Sequence, residues 1–250
     1  AHVPYYRRRF DELGIAPEDV GSLSDLGRLP ITTREDLRGH YPYGFFAMPL
    51  REVVRIHAPT GSAGAYTAMG LTRNDIKHWT NLTARILAAG GVTKDDVVQV
   101  TLDYGLFSGS FGLHYGAERI GAAVVPAPSP HMARQVRIMR DFKTTALVAT
   151  PSFGLRLAEA LRTGDVPVSA LSLKYALLGE EPWSEETRRE IEEGLGVIAT
   201  DHYGLMEIMD PGIAGECTEK HGMHVQEDHF IVEILDPDTL LPVEPGRRGE

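Results

Sequence analysis

From residue 96 to residue 200 short apolar runs alternate with segments of helical period, and that rhythm restricts the fold more than any other feature of the chain. "DVVQVTL" (96–102) is followed by "SFGLHYGAERIG" (110–121), and "AAVVPA" (122–127) by "HMARQVRIMRDF" (131–142). "ALVAT" (146–150) precedes a helix opened by Pro151, "SFGLRLAEALR" (152–162). "LKYALLG" (173–179) precedes "SEETRREIEEGLG" (184–196), and "VIAT" (197–200) comes last. Apolar strands joined by amphipathic helices predict an α/β fold, with a mostly parallel sheet covered by helices on both faces.

The flanks read differently. Residues 4–13 and 33–39 predict short helices, the second capped by Thr32 or Thr33. "VVRIHA" (53–58) predicts a strand, a small-residue loop follows, and residues 73–91 predict a helix ended by two glycines. From about 223 the rhythm stops, and an antiparallel β hairpin is expected, turning at Asp236, Pro237 and Asp238. The expected division is therefore 1–222, an α/β region, and 223–250, a β-rich segment of the same domain. The chain begins at Ala1 and stops at "EPGRRGE", so a longer protein is expected.

Composition excludes several functions. The net charge is −10 and no basic stripe exists, so no nucleic-acid partner is expected. No apolar run reaches the ~18 residues that span a bilayer, and neither a membrane role nor a signal peptide is expected. Cys217 is the single cysteine, which precludes an internal disulfide and fits a reducing, cytoplasmic setting. A homodimer is compatible with this composition.

In parallel sheets ligands bind beyond the carboxyl ends of the strands, so the loops there carry the chemistry. "APTGSAGAYT" (58–67) has small residues whose amides could cradle a phosphate, or it is an ordinary turn; no lysine follows Gly64 as in a Walker loop. In "DYGLFSGS" (103–110) Tyr104 and Phe107 could wall an aromatic pocket or be core. "GEEPW" (179–183) could face a ligand or simply lead into a helix capped by Ser184. "DHYGLMEIMDPG" (201–212) places Asp201, Tyr203, Glu207 and Asp210 after the last strand. There Glu207 suits Mg²⁺ and Tyr203 could stack on a base.

These loops, in this order, resemble the phenylacetate–coenzyme A ligase family of acyl-adenylate-forming enzymes, and the likeness runs through nearly the whole chain. It is carried by "YYRRRFDELGI", "LSDLGRLPITTREDLRGHYPYG", "VVRIHAPTGSAG", "YGLFSGSFGLHYGAERIGAAVVP", "RQVRIMRDF", "YALLGEEPW", "YGLMEIMDPGIAGEC" and "GMHVQEDHFIVEILDP". The resemblance implies the large N-terminal domain of such an enzyme. A carboxylic acid is activated with ATP and Mg²⁺ through an acyl-adenylate, which the thiol of coenzyme A attacks. The small C-terminal domain, which carries the family's catalytic lysine, would lie beyond residue 250.

Carried residue by residue, the family's phosphate loop falls on Pro59 to Thr67, with Thr60, Gly61, Ser62 and Gly64 as the retained binding positions. Its lysine is Ala65 here and a threonine is Ala63, which implies a weaker grip on triphosphate. Gly179, Glu180, Glu181 and Pro182 would run along the adenine, where Glu180 replaces a small residue. Asp201, His202, Tyr203 and Gly204 would complete the nucleotide floor, with Tyr203 on the base and Glu207 on the metal; Met206 replaces a hydroxyl residue. Tyr104 and Phe107 would enclose an aryl or arylacetic acid, the small-molecule substrate. Cys217 and His224, near His221, could join a structural zinc site, or be a buried thiol and surface histidines. Two alternatives stay open: an adenylylating synthetase acting on a cofactor, and a catalytically impaired acyl- or nucleotide-binding homologue.

Overall fold

A computed structural model describes residues 2–58, 67–106 and 109–249. By internal contacts the chain divides into two compact units, residues 73–226 and residues 1–72 with 227–250.

The larger unit holds the predicted rhythm. Strands β3 (Val97–Val100), β4 (Ala123–Pro126), β5 (Ala146–Ala149), β6 (Tyr175–Gly179) and β7 (Ile198–Tyr203) lie parallel in the order β4-β3-β5-β6-β7. Two short strands, β8 (Ala214–Gly215) and β9 (His224–Val225), extend the sheet antiparallel. Helices α5 (Met132–Asp141), α6 (Pro151–Thr163) and α7 (Glu185–Leu195) cover one face through Met139, Leu157, Leu161, Ile191 and Leu195. Helices α3 (Arg73–Ala89) and α4 (Gly109–Ile120) cover the other through Leu87, Leu113 and Ala117. Alternate residues of one strand serve the two cores: Leu177 faces α3 and α4, while Ala176 and Leu178 face α6 and α7. This period of two is why the strands read as unbroken apolar runs. Helices α3 and α4 meet closely because Gly112 lies against the Trp79 indole, where a Cβ would come within 2.5 Å.

The smaller unit contains α1 (Pro4–Leu13), α2 (Arg34–Gly39) and a two-stranded sheet. Thr33 caps α2 as expected: its hydroxyl accepts from the Asp36 amide, and the Asp36 carboxylate accepts from the Thr33 amide. The strand predicted at 53–58 forms, outside the parallel sheet. Strand β1 (Val53–His57) pairs antiparallel with β2 (Met69–Thr72), a strand the sequence reading did not find. Alternate residues of β1 remain exposed, which suits a ribbon with one wet face rather than a central strand.

The hairpin expected after 223 is smaller than its sequence suggested. Beyond β9, among the described residues, one antiparallel bridge joins Leu235 to Pro242. Its turn lies where predicted: the Asp236 carboxylate accepts from the amides of Asp238 and Thr239. The expected β-rich segment divides between the two units, since the boundary falls after Gln226.

Candidate functional site

The chain passes from β3 to β4 on one side and then crosses to β5 on the other, so the order reverses between β3 and β5. A crevice opens at such a switch point, outside the carboxyl ends of the strands. A cavity of about 420 Å³ lies there, lined by Thr101, Leu102, Asp103, Ser129, Thr150 and Arg156 among others. Its wall is braced from within. Buried Gln135 donates to the carbonyls of Ala127 (2.6 Å) and Ser129 (3.0 Å) and accepts from Gln99.

Further along the same edge, β6 ends at Gly179 beside β7. A Cβ on Gly179 would overlap the His202 ring, so this close approach requires glycine. Glu180 follows with φ at +70°, a conformation that turns the chain sharply out of the strand. Glu181 accepts from the Ser152 amide (3.1 Å) and hydroxyl (2.9 Å), tying this loop to the start of α6. Ser184 caps α7 as predicted, accepting from the Thr187 amide at 3.2 Å.

Strand β7 runs three residues beyond its expected end. Asp201, His202 and Tyr203 lie within it rather than after it. The reason is pairing on both sides: His202 is opposite Gly179 on β6 and Gly215 on β8. Its end is fixed by a buried ion pair. Arg188 of α7 donates two hydrogen bonds to Glu216 (2.7 and 3.0 Å) and one to the carbonyl of Ala199, and Glu216 also accepts from the Asp201 amide. Burial, with the Glu216 charge assisting, pushes Asp201 up to about 6. Tyr203 is about half exposed at 48%, so its ring is available to a ligand. His202 is buried, its two ring nitrogens find no hydrogen-bond partner, and burial lowers its pKa to about 4, which keeps the ring neutral.

Carboxyl groups from two loops influence one another at this edge, Glu180 after β6 and Glu207 and Asp210 after β7. Glu207 lies in the single turn Met206–Ile208, and Asp210 follows it. Asp210 is only 4% exposed; the Trp79 indole donates to its backbone carbonyl at 3.0 Å. Burial, reinforced by Glu207, raises the Asp210 side chain to about 7. Glu180 is solvent accessible, but desolvation at this crowded edge and the nearby Asp210 raise it to about 8. Elevated carboxyl pKa values clustered at a sheet edge mark a candidate ligand site.

Tyr104 follows β3, half-buried, with its ring edge-on to Phe111 and His114. Its hydroxyl lies 3.0 Å from His114 Nδ1, and His114 Nε2 lies 3.2 Å from Glu118. The other expected pocket residue, Phe107, and the phosphate-loop positions Thr60, Gly61, Ser62 and Gly64 lie outside the described residues. Among the described residues no group of three or more His, Cys, Asp or Glu side chains is placed to hold a metal. Cys217 is half-buried and His224 exposed, so the structure gives the zinc reading no support.

Sequence reasoning missed Arg188, Glu216 and the His114–Glu118 pair. The spacing of the latter pair, four residues apart on one helix face, was a readable signal.

The model of the AMP-binding enzyme family matches residues 72–250. The chain belongs to that family. The chain is 46% identical to the phenylacetate–coenzyme A ligase of Thermus thermophilus over 248 residues, which cover 99% of the chain and 56% of the relative. It is also 46% identical to the Escherichia coli phenylacetate–coenzyme A ligase, covering 57% of that protein. The chain thus spans little more than half the length of these curated relatives. Among solved structures, an open form of 2-hydroxyisobutyryl-CoA ligase in complex with 2-HIB-AMP and CoA superposes with a TM-score of 0.90 at 32% identity, over 99% of this chain and 56% of that one. A long-chain-fatty-acid-CoA ligase from Archaeoglobus fulgidus, at 16% identity and a TM-score of 0.64, shares the fold. No helix among the described residues is long and apolar enough to cross a membrane.

Proposed function

We propose that the protein carrying this chain activates an arylacetic-type carboxylic acid with ATP, through an acyl-adenylate, and transfers the acyl group to coenzyme A. The observation that carries this reading is the 46% identity, over essentially the whole chain, to phenylacetate–coenzyme A ligases from three organisms. In it the half-exposed Tyr203 offers a face to the adenine, while Gly179 to Pro182 and Asp201 to Gly204 border the nucleotide. Tyr104, with Phe107, borders the acid.

The donor set fits Mg²⁺ in one respect. This cation is usually held by one or two protein carboxylates plus substrate phosphates rather than by a cage of side chains. In this reading Glu207 supplies one such carboxylate. When bound, Mg²⁺ would neutralise phosphate charge. The chain's own contribution is to hold Glu207 in a short turn and to keep His202 neutral beneath the floor.

An impaired homologue remains the second reading, favoured by Ala63, Ala65 and the buried Met206. Pyrophosphate release from ATP across a panel of aromatic acids, with and without coenzyme A, separates the two. Acid-dependent release, followed by thioester formation when coenzyme A is added, supports the ligase. Nucleotide binding without release supports the impaired homologue.

A further inference from the structure

We propose that Glu118 and His114 are positioning residues that fix the Tyr104 hydroxyl as a hydrogen-bond acceptor toward the bound acid, so that the pocket favours aryl acids carrying a hydroxyl or amino donor on the ring. This rests on the proposal that Tyr104 borders the acid.

The polarity follows from the outer end of the relay. An ionised carboxylate only accepts hydrogen bonds. Glu118 Oε1, 3.2 Å from His114 Nε2, therefore requires the proton on Nε2. In a neutral imidazole the other nitrogen is then a bare acceptor. The Tyr104 hydroxyl lies 3.0 Å from that nitrogen, Nδ1, and donates to it. Burial, with Tyr115 and then Glu118 assisting, raises the Tyr104 pKa, so the hydroxyl keeps its proton. That proton is directed at His114, and only lone pairs are left for a ligand. The ring is held in this orientation by edge-on contacts to His114 (5.7 Å between centroids) and Phe111 (5.2 Å). A donor on the substrate ring would find an acceptor in this wall. A bare phenyl ring would leave the hydroxyl oxygen desolvated without a partner, which is unfavourable.

The test inverts the relay from its exposed end. Glu118 is 58% exposed, so Glu118→Lys can be accommodated, and lysine has donors only. The substitution removes the proton from Nε2, places it on Nδ1, and turns the Tyr104 hydroxyl into a donor toward the ligand. Nitrogen-15 spectra of histidine-labelled protein at about pH 8, where an ordinary imidazole is neutral, report the tautomer directly. Calorimetric affinities for phenylacetate and its ring-hydroxylated analogues report the preference as a ratio, from which the general effect of the added positive charge cancels.

The expected results are an Nε2–H tautomer in the wild type and an Nδ1–H tautomer in Glu118→Lys. The preference for the best hydroxylated acid should fall about fivefold to tenfold. Tyr104→Phe should abolish the preference without moving the His114 proton to Nδ1. An Nδ1–H tautomer in the wild type overturns the proposal, and so does an inverted tautomer that leaves the ratio of affinities unchanged. Failure of the wild type to bind any of the acids removes the pocket assignment, and with it the proposed function. The nitrogen shifts decide the relay independently of that outcome.

Discussion

At the scale of single residues, Asp210 has the most to explain. It is nearly fully buried, and the groups acting on its charge are other acids rather than cations. Its pKa is raised from 3.8 to about 7. An acid whose folded pKa is raised contributes stability that is fully present below the unfolded value and lost as pH rises through the folded one. The contribution of Asp210 to stability should therefore decline between about pH 4 and pH 7, where the unfolded state has released this proton and the folded state still holds it. Asp210→Asn should melt several degrees higher than the wild type at about pH 8, with the two converging toward pH 4. Melting curves across that range check the sign; a variant less stable at high pH contradicts it. Glu180 bears on ligands instead. Because its pKa is raised to about 8, Glu180→Ala should strengthen phenylacetate binding several-fold at about pH 9, where the carboxyl is ionised and repels the acid, and should change it little at about pH 7, as measured by calorimetry. The oddity of Glu180 was legible in "GEEPW", where the resemblance implies a small residue. The burial of Asp210 was not, because the indole that packs on its backbone comes from Trp79, 131 residues earlier.

Among the elements, the end of β7 depends on a contact between an interior helix position and a strand-flanking acid. The Arg188 and Glu216 side chains are 6% and 7% exposed, and Glu216 also holds the Asp201 amide. Removing one partner of a buried pair leaves an uncompensated charge, at a cost of about 3–5 kcal/mol. Glu216→Gln keeps some hydrogen bonding and should fall at the lower end of that range; Glu216→Leu should fall at the upper end. The exposed pair Arg162–Glu159 provides the contrast, and Arg162→Ala should cost about 0–1 kcal/mol. Denaturant midpoints for the three variants check the order; equal losses would contradict it. Helices α3 to α7 were legible because each carries a strong local period, and strands β3 to β6 because each is a short apolar run between helices. Strands β8 and β9 have two residues each, and β2, "MGLT", is no apolar run, so all three exist through their neighbours. The true end of β7 was hidden for the same reason: residues 201–203 are polar or aromatic, and only pairing on both flanks makes them strand.

At the scale of the molecule, the parallel order β4-β3-β5-β6-β7 brings the ends of β6 and β7 side by side, though their loops lie some 20 residues apart in sequence. The alternation of strands and helices predicted that edge. It did not predict that β1 would stand in a separate antiparallel ribbon, because a single β-branched run does not reveal its partner. The central claim is that this edge receives an acyl-adenylate. Titration with a non-hydrolysable analogue, an arylacetyl sulfamoyl adenosine, tests it most directly, with melting curves recorded alongside. The account predicts saturable binding of one analogue per chain. At a hundredfold excess over the dissociation constant, that should stabilise the fold by about 2.7 kcal/mol. Tyr203→Ala should weaken the affinity at least about tenfold, the loss of a stacked aromatic contact. No heat and no melting shift with the wild type, or equal affinity in Tyr203→Ala, would contradict the account.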